Sequence, residues 1–164
     1  MSITTYYLEM RSITDTQSPE LPHGLQVMRA SPPRVTYYRF LYDAVGRDWN
    51  WIGRKSLGDD ELRAVISDPA NELFVLYDRG SPVGFAELDL RITGEIELKY
   101  FGLFPDSIGR GWGRVFLASV LWTAWQRQPR RVWLHTCTED HPRALDFYLR
   151  AGFVIYDQEC DAHA

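Results

Sequence analysis

The sequence predicts a single domain of the α/β class (α+β in some schemes), with a mixed, mainly antiparallel twisted sheet flanked by about four helices. Two observations predict this fold. Segments typical of strands outnumber segments with helical periodicity, and a glycine-rich turn joins a strand-like run to a helix-like run. The chain has 164 residues, of which 45% are hydrophobic, which suits one domain over residues 1–164 with its own core.

The N-terminal third predicts two strands and a helix. Residues 4–11 are rich in β-branched and aromatic side chains and predict an extra N-terminal strand, and residues 25–29 alternate and predict a second. Residues 12–24 contain prolines and a glycine and predict a loop. Prolines after Ser31 suit a helix start, and the helix should end near Gly46 because apolar residues recur at helical spacing up to there: Val35, Tyr38, Leu41, Tyr42 and Val45.

The middle of the chain predicts a loop, a helix and a three-stranded antiparallel meander. Residues 47–55 form an aromatic and basic loop, and three acids starting at Asp59 open a helix that ends before Pro69. Strands separated by short turns follow, at residues 72–78, 83–90 and 95–104.

The last third predicts a crossover unit, a helix and a final strand. The helix over residues 115–125 leads to a strand over 130–137, which should lie parallel to the 95–104 strand through a right-handed crossover. Residues 142–150 predict a helix closed by Gly152, and residues 153–159 predict the last strand.

Composition and charge exclude several classes of protein. The chain has no run of about eighteen apolar residues and no signal-peptide pattern, so neither a membrane span nor secretion is expected. A net charge of −4 argues against a nucleic-acid partner and suits cationic acceptors. We expect Cys137 and Cys160 to be free thiols in a reducing cytoplasm.

The glycine-rich turn over residues 108–114 has the layout of an anion site. It lies between the 95–104 strand and the 115–125 helix, and a helix start presents unpaired N–H groups with a partial positive charge. Glycines let a phosphate approach the backbone, and Arg110 and Arg114 add charge at the rim.

Two common phosphate-binding patterns do not fit this turn, and a third does. A P-loop requires Lys-Ser/Thr where this chain has Arg114-Val115, and a dinucleotide fingerprint requires glycine where it has Arg114. The pattern V-x-P followed by Q/R-x-x-G-x-G/A is met by Leu103-Phe104-Pro105 and Gly111-Trp112-Gly113. This arrangement resembles the pyrophosphate-binding motif of the GNAT family, the Gcn5-related N-acetyltransferases, which bind acetyl-coenzyme A (acetyl-CoA). Ile108 departs from the family's Gln or Arg.

A second stretch strengthens the resemblance. Residues 140–153 are similar to the family signature N-x-x-A-x-x-x-Y-x-x-x-G-F, with His141 in place of Asn and four matching residues: Ala144, Tyr148, Gly152 and Phe153. The resemblance covers residues 71–156 and implies a GNAT-like sheet in which the parallel strands 95–104 and 130–137 splay apart. Because only one strand follows the last helix, we expect the N-terminal strand to pair beside the 130–137 strand and cover its edge.

The resemblance also implies which residues contact acetyl-CoA. Backbone groups of the splaying strand would pair with pantetheine, the glycine turn would hold the pyrophosphate, and the second motif would complete the site. These residues are Phe101, Gly102, Leu103, Ile108, Gly109, Arg110, Gly111, Trp112, Gly113, Arg114, His141, Ala144 and Tyr148. Gly102 also predicts a β-bulge, or else a local weakness of the strand without function.

Acetyl transfer to an amine needs a proton acceptor near the amine and a proton donor near the sulfur. The resemblance places Tyr148 at the donor position, although a tyrosine there can also simply pack on the core. Glu97 is the first candidate base, followed by Glu95 and Glu87, and each can equally be a solvated strand residue. His135 and His141 are further proton relays, and their spacing with Cys137 does not match a zinc site, so no metal is expected.

The aromatic loop supplies the candidate acceptor wall. In GNAT proteins the loop between the first two helices borders the acceptor site, which implies contacts from Trp49 and Trp51, with Tyr38 and its neighbour Tyr37 beside them. Core packing is the alternative for the two tryptophans. The sequence leaves four classes of acceptor amine open: antibiotics, polyamines, amino acids and protein N-termini. It also leaves open that the protein forms a homodimer.

The function implied is an acyl-CoA-dependent N-acetyltransferase acting on a small-molecule or peptide amine by direct attack in a ternary complex. Two alternatives stay open from the sequence. One is a catalytically silent acyl-CoA-binding or sensing module, and the other is a protein-interaction domain that keeps the fold without a ligand.

Overall fold

The computed structural model describes residues 2–161, in which one seven-stranded sheet carries helices on both faces. The strands, in chain order, are β1 Ile3–Met10, β2 Leu25–Ala30, β3 Asn71–Asp78, β4 Ser81–Asp89, β5 Glu95–Leu103, β6 Arg131–Cys137 and β7 Val154–Asp161. The helices are α1 Val35–Gly46, α2 Asp59–Ile66, α3 Trp112–Trp125 and α4 Ala144–Arg150. None of these helices is both long and apolar enough to cross a bilayer.

The strand order is β2-β3-β4-β5-β6-β1-β7. Strands β3, β4 and β5 form the predicted antiparallel meander, and β5 pairs with β6 in parallel through the α3 crossover. The mixed, mainly antiparallel sheet with four helices is therefore confirmed.

The parallel pair is joined only at its beginning. Among the described residues β5 and β6 pair at three positions, Glu95 with Arg131, Ile96 with Val132 and Glu97 with Trp133. Strand β5 continues to Leu103 and β6 to Cys137 without pairing to each other. The predicted splay thus begins immediately after Glu97.

The N-terminal strand β1 lies between β6 and β7. It pairs antiparallel with β6 from Thr5–Cys137 to Met10–Val132, and with β7 along its other side. The predicted pairing with β6 is therefore observed, and β7 becomes the outer strand at this end of the sheet.

The core is divided by the sheet into two clusters. The larger cluster packs α3 and α4 against β3, β4, β5, β6 and β1, and Phe116, Leu88 and Val132 lie at its centre. The smaller cluster packs α1 and α2 against β3, β4 and β5. Within residues 2–161, no side chain of β6, β1 or β7 belongs to this smaller cluster, so α1 and α2 do not cover these strands on the second face. This uncovered part of the sheet lies directly beside the splay.

Two helices begin at other residues than predicted. Helix α3 starts at Trp112 instead of Val115, because Gly111 takes a left-handed conformation with φ of 77° and acts as its N-cap. Helix α4 starts at Ala144 instead of Pro142, because residues 141–144 first form a turn in which Ala144 N–H donates to the carbonyl of His141 at 2.8 Å.

The predicted bulge at Gly102 is wrong. Gly102 pairs in register with Phe85, and the register instead shifts three residues earlier, at Lys99, which lies between the pairs Leu88–Leu98 and Glu87–Tyr100. A Cβ on Gly102 would lie 2.3 Å from Val45 Cγ1. The glycine is needed because α1 approaches the strand closely.

Candidate active site

A cleft of about 450 Å³ passes between β5 and β6 where they splay. Its lining includes Phe101 and Tyr148 from the α3/α4 side of the sheet, and Trp51 and Tyr100 from the α1/α2 side. The cleft is therefore lined by side chains from both faces of the sheet.

The glycine turn forms one end of the cleft. Gly109 and Gly111 have φ angles of 91° and 77°, and a Cβ at either position would meet open space. Helix α3 has no side-chain cap at Gly111, so its first N–H groups face outward without a side-chain acceptor. This end of the cleft consequently offers backbone donors and the positive end of a helix dipole to an anion.

Most of the coenzyme contacts predicted from the sequence line the cleft. They are Phe101, Gly102, Leu103, Ile108, Gly109, Gly113, Arg114, His141, Ala144 and Tyr148. The remaining three, Arg110, Gly111 and Trp112, lie in the same turn outside the lining, and the Arg110 guanidinium lies 4.9 Å from the centre of the Trp112 ring.

Tyr148 lies on α4 in an aromatic environment at the cleft wall. Its ring makes edge contacts with Phe101, Phe147 and Phe153 at centroid distances of 6.4, 5.3 and 6.0 Å. Burial, together with the charge of Asp140, raises the pKa of the Tyr148 hydroxyl. The hydroxyl therefore stays protonated at neutral pH and can donate.

Glu97 lies at the last paired position before the splay and is only 9% exposed. Its carboxylate is 3.9 Å from Nε2 of His135 and 3.9 Å from Nζ of Lys99, and both of these side chains line the cleft. Burial raises the pKa of Glu97, while Lys99 and His135 partly oppose that rise. A carboxylate with a raised pKa is a better proton acceptor than an ordinary one.

The other two glutamates are engaged elsewhere. Glu95 pairs with Arg131 at 3.2 Å. Glu87 is fully buried and accepts from Arg54 at 2.9 Å. None of the three glutamates belongs to the cleft lining, but Glu97 lies beside two residues that do, His135 and Lys99.

Trp49 and Trp51 line the cleft and also pack on their neighbours. The Trp51 ring lies 5.1 Å from that of Tyr100, and a Cβ on Gly46 would lie 2.5 Å from Trp51 Cβ, so the last turn of α1 makes room for it. Tyr38 lies elsewhere: it is fully buried beneath Arg54, which donates to its hydroxyl at 3.2 Å.

Asp140 is a site residue to which the sequence assigned no role. Its carboxylate accepts from the Thr136 hydroxyl at 2.6 Å, from the Cys137 N–H at 3.0 Å and from Trp51 Nε1 at 3.4 Å. It thus ties the end of β6 to the aromatic loop across the cleft. The available signal was an aspartate three residues after a strand, a common turn acceptor.

Within residues 2–161 no group of three or more His, Cys, Asp or Glu side chains is placed to hold a metal ion. Cys137 and Cys160 are free thiols.

Comparison with known proteins gives a consistent picture. The family model described as "Acetyltransferase (GNAT) family" matches residues 38–153. An uncharacterized N-acetyltransferase of Mycobacterium tuberculosis is 29% identical over 100 residues, which are 61% of this chain and 64% of that protein. The match therefore spans less than two thirds of this relative.

Solved structures share the fold. A GCN5-related N-acetyltransferase from Sphaerobacter thermophilus superposes with a TM-score of 0.72 and 21% identity over 96% of this chain, which corresponds to half of that longer chain. The aminoglycoside N-acetyltransferase AAC(6′)-Iy in complex with CoA gives a TM-score of 0.60 and 19% identity, covering 82% of this chain and 92% of that one.

Proposed function

This chain belongs to the GNAT acetyltransferase family, and from that premise we propose that it transfers an acetyl group from acetyl-CoA to a primary amine by direct attack in a ternary complex. The observation that carries the proposal is the cleft through the splayed β5–β6 pair, with a helix N-terminus at one end and, in its lining, Lys99 and His135, the two neighbours of Glu97.

The residues of the glycine turn fit the pyrophosphate of the coenzyme. Gly109 and Gly111 leave open space where side chains would stand, and the α3 N-terminus has no side-chain cap, so its N–H groups are available to phosphate oxygens. Arg114 adds a positive charge at the cleft. Residues Phe101 to Leu103 of β5 pair with β4, and among the described residues their other edge does not pair with β6, so backbone groups on that edge would hold the pantetheine.

Acetyl-CoA supplies the acetyl group as a thioester. Glu97 takes the proton of the ammonium form, directly or through a water, so that the nitrogen lone pair can attack the carbonyl carbon. The C–N bond forms as the C–S bond breaks, and Tyr148 donates a proton or a hydrogen bond to the leaving sulfur. Two features support these roles: burial raises the pKa of Glu97, and burial with Asp140 keeps Tyr148 protonated.

The acceptor is a small-molecule or peptide amine bound on the α1/α2 side of the cleft. Trp49 and Trp51 form its wall there, and their rings suit an alkyl chain or a cation. Solved neighbours include aminoglycoside acetyltransferases, which supports an amine of small-molecule size. The free thiols Cys137 and Cys160 suit the cytoplasmic location expected from the sequence.

The test is a thiol-release assay with acetyl-CoA and a panel of amines, paired with calorimetry of coenzyme A binding. We expect binding and amine-dependent release. Binding without release from any amine class would favour the silent acyl-CoA-sensing module instead. Absence of binding would refute the assignment of the cleft.

A further inference from the structure

We propose that the acceptor is a polyamine, which reaches the cleft with one terminal amine and lies with its remaining charges along the uncovered sheet face of β6, β1 and β7. This inference rests on the proposed acetyl transfer and specifies its substrate class. It depends on two features of that face, a continuous row of aromatic rings and an excess of carboxylates at its ends.

The row of rings, called here the aromatic strip, consists of Trp133, His135, Tyr7 and Tyr156. Successive centroids are 6.5, 5.9 and 6.3 Å apart. Of these four residues His135 lines the cleft, so the strip meets the cleft at His135 and leads from there to the edge strand β7. From β6 to β7 the row crosses two strand spacings, roughly 10 Å, which is a length that suits an extended chain and exceeds that of a simple monoamine.

Carboxylates lie at both ends of the strip. Glu97 lies at the cleft end, 3.9 Å from His135. At the outer end Glu159 accepts a hydrogen bond from the Tyr7 hydroxyl at 3.0 Å, and Asp157 pairs with Tyr7 across the β1–β7 ladder. The hydrogen bond to Glu159, burial and the charges of Glu159 and Asp157 raise the pKa of Tyr7, as expected where the local potential is negative.

The cations on this face are already engaged. Arg131 is held by Glu9 at 3.1 Å and by Glu95 at 3.2 Å, and its guanidinium lies over the rings of Trp133 and Tyr156. Lys99 lies 3.9 Å from Glu97, and Arg11 pairs with Glu9. Among the described residues of this face, acids outnumber bases: Glu9, Glu95, Glu97, Asp157 and Glu159 against Arg11, Lys99 and Arg131.

A polyamine matches this pattern in charge and in shape. Its reactive end would give up a proton near Glu97, and its methylene segments would lie on His135 and Tyr7, the two rings of the strip that Arg131 does not cover. Its distal ammonium group would lie near Asp157 and Glu159. The bond changes are those of the proposed reaction: the terminal nitrogen bonds to the acetyl carbon as the carbon–sulfur bond breaks.

The experiment compares two acceptors that share an aminobutyl end. Spermidine carries further positive charges beyond its reacting amine, whereas n-butylamine carries no charge other than that of the reacting amine. We expect kcat/KM to be higher for spermidine, and this preference to shrink as salt is added, because exposed charges are screened. In the double variant Asp157→Asn/Glu159→Gln the spermidine value should fall about fivefold, the size expected for two exposed ion pairs, while the n-butylamine value stays unchanged.

The control is Asp60→Asn/Glu61→Gln, which removes the same charge from α2, the helix that packs on β3 at the other end of the sheet. It should leave the preference for spermidine intact. An unchanged spermidine to n-butylamine ratio in the β7 variant would overturn the polyamine inference, as would thiol release with other amines and none with spermidine. If no amine, spermidine included, gives thiol release, the proposed function itself is refuted.

Discussion

At the scale of single residues, the proposed chemistry rests on Tyr148, which lines the cleft, and on Glu97, whose neighbour His135 lines it. If Tyr148 donates to the leaving sulfur, Tyr148→Phe should lower the single-turnover rate roughly a hundredfold. Acetyl-CoA affinity should hold, because the phenylalanine ring keeps the contacts with Phe101, Phe147 and Phe153. Stopped-flow measurement of thiol release gives the rate.

Tyr6→Phe is the matched control, since Tyr6 packs against the same core without lining the cleft. If Tyr148→Phe releases thiol at the same single-turnover rate as the parent, Tyr148 does not act as the proton donor.

Glu97 should control the acidic limb of the pH–rate profile. Its pKa is raised above the ordinary value of 4.5 by burial, so the rate should fall already at mildly acidic pH. Glu97→Gln should lower the rate near neutrality and flatten that limb. Glu95→Gln, which removes a carboxylate already paired with Arg131, should do less. A larger loss with Glu95→Gln at the same pH would show that the base is misassigned.

The same pKa shift predicts a stability effect. A carboxyl group with a higher pKa folded than unfolded binds more protons when folded, so its contribution is present below the unfolded pKa and is lost as pH rises through the folded one. Glu97→Gln removes this loss. The difference in free energy of unfolding between Glu97→Gln and the parent, measured in urea titrations, should therefore rise with pH. The rise should fall roughly between pH 4 and pH 8, which covers the raised pKa values known for buried carboxyl groups. A constant difference would contradict the raised pKa.

At the scale of elements, the strand–turn–helix unit of β5 and α3 should control coenzyme binding. Gly111→Glu places a side chain and a negative charge at the helix N-terminus, and binding of coenzyme A should weaken at least tenfold, about 1.4 kcal/mol. Calorimetry measures it.

Gly80→Glu is a close control for this variant. Gly80 also has a positive φ, of 90°, and open space around its Cβ, but it lies in the β3–β4 turn. Equal losses in the two variants would mean that backbone strain, not the loss of an anion site, explains the Gly111 result.

The contact between α1 and β5 makes a separate prediction. Gly102→Ala should destabilise the protein by about 1–3 kcal/mol, because the new methyl group would lie against Val45 Cγ1. Adding Val45→Ala should restore part of the loss, giving a coupling energy above about 0.5 kcal/mol in a double-mutant cycle. Additive losses would mean that the two elements do not touch as described.

Elements with local signals could be predicted from the sequence, whereas features that depend on packing could not. The glycine turn, the crossover and the meander follow from periodicity and turn residues. The position of the bulge does not, because Gly102 and Lys99 are both compatible with a strand, and only the approach of Val45 explains the glycine.

The residues of the candidate site also divide into those that local sequence patterns identify and those that depend on packing. Tyr148 lies within a recognisable motif, but the pairing of Glu97 with Trp133 depends on the β5–β6 register, which no local pattern encodes. Tyr38 has the helical spacing of a core residue as well as the chemistry of a binding residue, and burial decides between them. Asp140 acquires its partners only when the aromatic loop folds across the cleft.

At the scale of the whole molecule, the sheet has two faces, and the cleft between β5 and β6 is lined by residues from both of them. Helices α3 and α4 cover one face, while α1 and α2 cover only β3, β4 and β5 of the other. Insertion of β1 between β6 and β7 extends the second face beyond these helices. In the proposed mechanism, coenzyme and amine would occupy the cleft together, from opposite sides.

The most direct test of this claim is the initial rate of thiol release measured over a matrix of acetyl-CoA and amine concentrations. If both reactants occupy the cleft at once, double-reciprocal lines for different amine concentrations should intersect. Parallel lines would show that the acetyl group is first passed to the protein, and rates independent of the amine would show that no acceptor binds at all. Either result would contradict direct attack in a ternary complex.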